Sequence, residues 1–126
     1  MKVQHGHRNR TDENTLFQSA IAPRNGKICS KLFLSVKVAF FNELYDACQH
    51  HSCDYDAVRL AASTDARIGS GHTMVPGPDG HRGFGGHCFP KDVAAWCTFN
   101  SQEHSIVDTA RKRNLELDRL KKIGNK

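Results

Sequence analysis

The run from Lys27 to His50 constrains this chain most, because its apolar residues recur at helical spacing along its whole length. Cys29, Phe33, Val36, Phe40, Leu44 and Ala47 fall on one face, and Leu34, Val38, Phe41, Tyr45 and Cys48 on an adjoining one. A helix with so wide an apolar arc buries two neighbouring faces and needs two partners. One is its own small core; the other is a second subunit or a further domain. At 126 residues the chain holds a single domain's worth of core, too little for a multi-domain enzyme.

Around this helix the remaining elements are short. Residues 1–15 are polar, rich in His, Arg and Asn, and read as a mobile tail; residues 16–126 read as the helical domain. Pro23-Arg24-Asn25-Gly26 breaks the chain ahead of the long helix. After His50, Asp54 has the chemistry of an N-cap for a helix from Tyr55 to about Ala62. Val75-Pro76-Gly77-Pro78-Asp79-Gly80 is turn chemistry and reads as a loop over a ligand. A helix is expected from Pro90 toward Phe99, with Val93 and Trp96 inward. A last one is expected from about His104 to Ile123, packing through Ile106, Val107, Ala110, Leu117 and Leu120.

Gly83-Phe84-Gly85-Gly86-His87-Cys88-Phe89-Pro90-Lys91-Asp92 carries the chemistry. Its glycines admit positive φ and let backbone approach a ligand closely. Pro90 suits a first helical turn, which sets Cys88 at the positive end of a helix dipole, where a thiol is driven toward the nucleophilic thiolate. Lys91 adds to that field, and Asp92 either compensates the helix terminus or orients a water or a hydroxyl.

This decapeptide resembles the catalytic cysteine motif of the UDP-glucose/GDP-mannose dehydrogenase family, Gly-Phe-Gly-Gly-x-Cys-Phe-x-Lys-Asp, at every fixed position. The resemblance implies that Cys88 is the nucleophile that attacks the C6 aldehyde of a nucleotide sugar, and that Asp92 positions the hydrolytic water. It implies backbone contacts to the sugar nucleotide from Gly83, Phe84, Gly85 and Gly86, and a weaker cofactor contact from Lys91. The stretch 33–43 is similar to the family's long central helix, about which those enzymes dimerise. Counting back from Asn42-Glu43 without gaps puts Lys27 at the family's catalytic lysine and Lys31 at its substrate-facing asparagine. Lys31 departs from that pattern, since a lysine only donates and adds a positive charge. Asp65-Ala66-Arg67-Ile68-Gly69 is similar to a family segment whose arginine reaches a substrate phosphate or sugar in the neighbouring subunit, and a guanidinium's planar fork suits phosphate and sugar oxygens.

The resemblance covers Lys27 to about Leu120. It implies an all-α fold: a long central helix with shorter packed helices, like the 6-phosphogluconate dehydrogenase C-terminal-like middle domain. NAD is the cofactor it implies, yet no strand followed by Gly-x-Gly-x-x-Gly occurs, and Gly69-Ser70-Gly71 lacks the third glycine. Two readings therefore stay open: the middle portion of a nucleotide-sugar dehydrogenase, as a fragment or a split subunit beside a separate dinucleotide-binding chain, or an inactive dimerisation and assembly module. UDP-glucose and GDP-mannose are not separated. The alternatives outside this class are weak. The net charge of +5 is scattered with no nucleic-acid motif, so no nucleic-acid partner is expected. Cys48, His50, His51 and Cys53 lack paired half-sites, so no metal is assigned. Five cysteines without framework spacing, with no leader-like or membrane-spanning stretch, point to a reducing cytoplasm and no membrane partner.

Overall fold

The computed structural model describes Thr15, Gln18 and residues 26–86 and 88–120, with the backbone alone at Cys88. Two units are distinguished, Met1–Ser30 and Lys31–Lys126, and each stands by itself. The expected tail over 1–14 and the Pro23-Arg24-Asn25 loop lie outside the described residues, as do His87 and residues 121–126. Among the described residues the fold is all-α, with no strand. The elements are α1 Lys27–His50, α2 Tyr55–Ser63, α3 Cys88–Phe99, α4 Ile106–Glu116 and a 3-10 turn η1 at Asp118–Leu120.

α1 runs over the expected residues and buries Leu32, Ser35, Val38, Phe41, Asn42 and Cys48. Ser35 and Asn42 satisfy themselves within the helix, Ser35 Oγ donating to the Leu32 carbonyl at 2.6 Å and Asn42 Nδ2 to that of Val38 at 2.9 Å. The other apolar face stays wet: Phe33 is 67% and Phe40 55% exposed. Asp54 caps α2 as expected, its side chain accepting from the Asp56 amide, and α2 then returns along α1. Phe41, Cys48 and Tyr55 form the buried cluster between them, with Leu44, Tyr45, Val58, Ala62 and Val75 packed on it. Tyr45 and Tyr55 meet edge to face at 5.2 Å. Burial pushes the Tyr55 hydroxyl up to about 12, and it donates to the Thr73 carbonyl, which ties the following loop to this core.

α3 begins at Cys88, two residues before Pro90, and buries Val93 completely. Ser105 caps α4 by accepting from the Asp108 amide at 3.0 Å. The last helix departs from its expected form. It spans Ile106–Glu116, Leu117 leaves helical geometry at φ −133 and ψ −65, and η1 follows. Ile106 and Leu120, expected inside, are 69% and 70% exposed. The buried side instead carries Ala110, Asn114 and Asp118. A polar core face of this kind is invisible to hydrophobic periodicity, because its residues are buried by hydrogen bonds and charge pairing rather than by apolarity.

Candidate active site

The second unit brings three loops onto α1. Arg82, only 4% exposed, lies over the Tyr45 ring at 5.2 Å and spends its donors on α1 and η1. Nε reaches Asn42 Oδ1 at 3.0 Å, Nη1 reaches Asp46 Oδ1 at 3.0 Å, and Nη2 reaches Asp118 Oδ1 at 3.0 Å. Arg113 closes the ring, Nη2 to Asp46 Oδ2 at 2.6 Å and Nε to Asp118 Oδ2 at 3.0 Å. Burial pushes the Asp118 carboxyl up against the pull of the Arg113 and Arg82 guanidiniums. This network, buried at Arg82, Asn42 and Asp118 and half-buried at Asp46 and Arg113, fixes the start of the glycine loop, since Asn42 Oδ1 also accepts from the Gly83 amide at 3.3 Å.

The glycine loop then runs along α4. Asn114 holds Phe84 on both sides: the Phe84 amide donates to Oδ1 at 2.7 Å, and Nδ2 donates to the Phe84 carbonyl at 2.9 Å. Glycine is required here for internal packing. A Cβ on Gly83, at φ +74, would collide with Asn114, and one on Gly85 would collide with the Arg119 guanidinium. Gly86, at φ +95, faces open space. Phe84 stacks on Phe89 at 5.0 Å, so the loop is continuous with the first turn of α3.

Between this loop, the 70–79 loop and Val38 of α1 lies a cavity of about 500 Å³. Gly83, Phe84, Gly85 and Gly86 form one wall, and Met74, Pro78 and Asp79 contribute to the other. A largely apolar pocket of this size fits a small organic ligand of nucleotide size.

The remaining expected residues are placed as follows. Cys88 is the first residue of α3, and the helix terminus expected beside it is present; its side chain lies outside what is described. Asp92, one turn later, is ion-paired with Lys31 Nζ at 2.6 Å, with side chains 23% and 34% exposed. Lys91 is exposed. Arg67 is 89% exposed, forks onto Asp65 at 3.0 and 2.7 Å, and is not in the cavity wall. That pairing holds the Asp65 carboxyl below its ordinary range. Lys27 is exposed at the start of α1 and belongs to the first unit, whereas the cavity belongs wholly to the second. Among the described residues no group of three His, Cys, Asp or Glu could hold a metal ion, and no helix is long and apolar enough to cross a membrane. Sequence reasoning missed Asn42, Arg82, Asn114 and Arg119 as residues that shape the wall. The one available signal was polar residues recurring on the buried stripe of α4.

The family model for the UDP-glucose/GDP-mannose dehydrogenase family, central domain, matches residues 25–116. A UDP-glucose 6-dehydrogenase of Pseudomonas aeruginosa is 35% identical over 86% of this chain and 24% of its own length. One from Rickettsia felis is 39% identical over 55% of this chain and 14% of its own length, and UDP-glucose 6-dehydrogenase YwqF of Bacillus subtilis is 38% identical over the same shares. The chain thus spans a quarter or less of these relatives. No solved structure matches.

Proposed function

The chain belongs to the UDP-glucose/GDP-mannose dehydrogenase family through its central domain, and from that premise we propose that it supplies the helical middle portion of an NAD-dependent nucleotide-sugar dehydrogenase. The observation that carries this reading is the cavity of about 500 Å³ walled by Gly83 to Gly86, with Cys88 opening the helix that follows. The relatives, UDP-glucose 6-dehydrogenases, favour UDP-glucose, oxidised at C6 to the acid, as the substrate.

In this reading the Gly83–Gly86 backbone and the apolar cavity wall hold the nucleotide sugar. The Cys88 thiolate, favoured by the helix terminus, adds to the C6 aldehyde; the S–C bond forms as the carbonyl oxygen takes a proton, giving a thiohemiacetal. Asp92 accepts a proton from the water that later attacks at C6. Lys31 serves the substrate's phosphate and sugar oxygens, and Arg67, which is not in this cavity wall, serves those of the substrate in the neighbouring subunit. NAD supplies hydride acceptance in the complete enzyme, but the residues present do not fit it: the described part has no strand, hence no dinucleotide crevice. The cofactor site lies outside the described residues, with Lys91 in weak contact with it. Without a bound hydride acceptor the chain oxidises neither the C6 alcohol to the aldehyde nor the thiohemiacetal to the thioester, so the nucleotide sugar is held unreacted.

The free state of Cys29, Cys48, Cys53 and Cys97 supports a reducing, cytoplasmic setting. The wet face of α1 at Phe33 and Phe40 supports a homodimer through that helix. A second reading, an assembly module without catalysis, is favoured by the Lys31–Asp92 ion pair, which engages the carboxylate that hydrolysis needs. NADH formation from UDP-glucose and NAD separates the two. The chain alone gives none, and the chain with a dinucleotide-binding domain of this family turns over. Turnover by the chain alone overturns the proposal, and none in either case establishes the assembly module.

A further inference from the structure

The two stretches that wall the cavity, 70–80 and 83–86, are separated in sequence only by His81 and Arg82, and among the described residues no backbone hydrogen bond joins them. One side chain reaches both. Arg119 Nε donates to the Phe84 carbonyl at 2.9 Å, and Nη2 donates to Asp79 Oδ2 at 2.7 Å. Its guanidinium occupies the space that a side chain at Gly85 would need. Asp79 is itself the organiser of its turn: Oδ1 accepts from the His81 amide at 3.0 Å, while the Gly77 and Gly80 amides donate within the same turn. Arg119 is aimed by its neighbour Asp118, which is 1% exposed and locked by Arg82 and Arg113.

We propose that Arg119 is a positioning residue of the nucleotide-sugar pocket, a brace that sets the separation of its two walls from behind without touching the ligand. The proposal rests on reading the cavity as the nucleotide-sugar site. It assigns to η1, at the far end of the described chain, the preorganisation of a binding pocket built mainly from loops. A fork is needed for this, since one planar guanidinium serves a carbonyl and a carboxylate at once and a lysine ammonium serves one of them well. Arg119 is absent from the residues lining the cavity, which separates this role from ligand contact.

Amide hydrogen exchange on the full chain without ligand tests the brace. Arg119→Met is expected to speed exchange about tenfold in both 77–81 and 83–86, with α1 changed less than twofold. Arg119→Lys, a milder change, is expected to loosen 83–86 and largely spare 77–81. The decisive variant is Asp79→Ala, which makes no described bond to the glycine loop. It is expected to speed 83–86 in the unaltered chain and to add nothing there in the Arg119→Met background, whereas a merely local role through the His81 amide would speed 83–86 equally in both. Unchanged exchange in Arg119→Met, a rise spread equally through α1, or an Asp79→Ala effect confined to 77–81 would each overturn the brace. Uridine diphosphate binding by calorimetry is read alongside, with Arg119→Lys expected to weaken it about tenfold. Failure of the unaltered chain to bind uridine diphosphate would count against the nucleotide-sugar reading, whereas the exchange rates decide the brace itself.

Discussion

Gly83 shows how much one missing Cβ can carry. Its φ of +74 already disfavours an L side chain, and Asn114 and Asp118 fill the space where one would go. Gly83→Ala should therefore cost about 2–4 kcal/mol, combining left-handed strain with overpacking, read as a lowered urea midpoint. A cost under about 0.5 kcal/mol would mean that Asn114 moves aside freely. Tyr55 offers a cleaner titration. Its pKa is raised by burial from 10.0 to about 12, so its contribution to stability is complete below pH 10 and is lost as pH rises through about 12. In a Tyr45→Phe variant Tyr55 is the sole tyrosine, and its absorbance titration should centre near 12. A midpoint at 10 would show the hydroxyl to be in water. The motif around Cys88 was legible residue by residue because glycine, cysteine and proline each have a narrow physical use. The occupants of the glycine clefts were not legible, since Asn114 and Arg119 lie far along the chain and look like surface residues in sequence.

α1 was legible to its ends and α4 was not, and the reason is the same physics. Along α1 burial follows apolarity at every buried position except Ser35 and Asn42, so Val38, Phe41 and Cys48 mark the core face. Along α4 and η1 burial follows charge pairing, so Asp118 is inside while Ile106 and Leu120 are out. The second apolar face of α1 was also readable, and it remains uncovered at Phe33 and Phe40. Our proposal of a dimer through this helix predicts that Phe33→Glu with Phe40→Glu, both exposed, leaves helicity intact. The same pair of substitutions should shift sedimentation at micromolar concentration from dimer to monomer. A monomer before substitution would remove the dimer.

At the scale of the whole molecule, the fold is a scaffold that presents loops. α1 contributes Asn42 and Asp46 to the network around Arg82, that network seats the glycine loop, and α3 starts where that loop ends. The family assignment and the all-α class were open to sequence reasoning because the motif and the helical period are local. The path by which η1 steadies the pocket needed coordinates, because it joins Asp79 to Arg119 across the chain. The central claim is that Cys88 is an activated thiol at a nucleotide-sugar site, and mass-mapped iodoacetamide labelling of the folded chain with and without UDP-glucose tests it most directly. Burial raises the thiol pKa of Cys48 and Cys97, which sets them behind. The account predicts that Cys88 labels fastest of the five cysteines at neutral pH and that UDP-glucose slows Cys88 while leaving Cys53 unchanged. Faster labelling at Cys53 or Cys97, or a Cys88 rate indifferent to UDP-glucose, would contradict it.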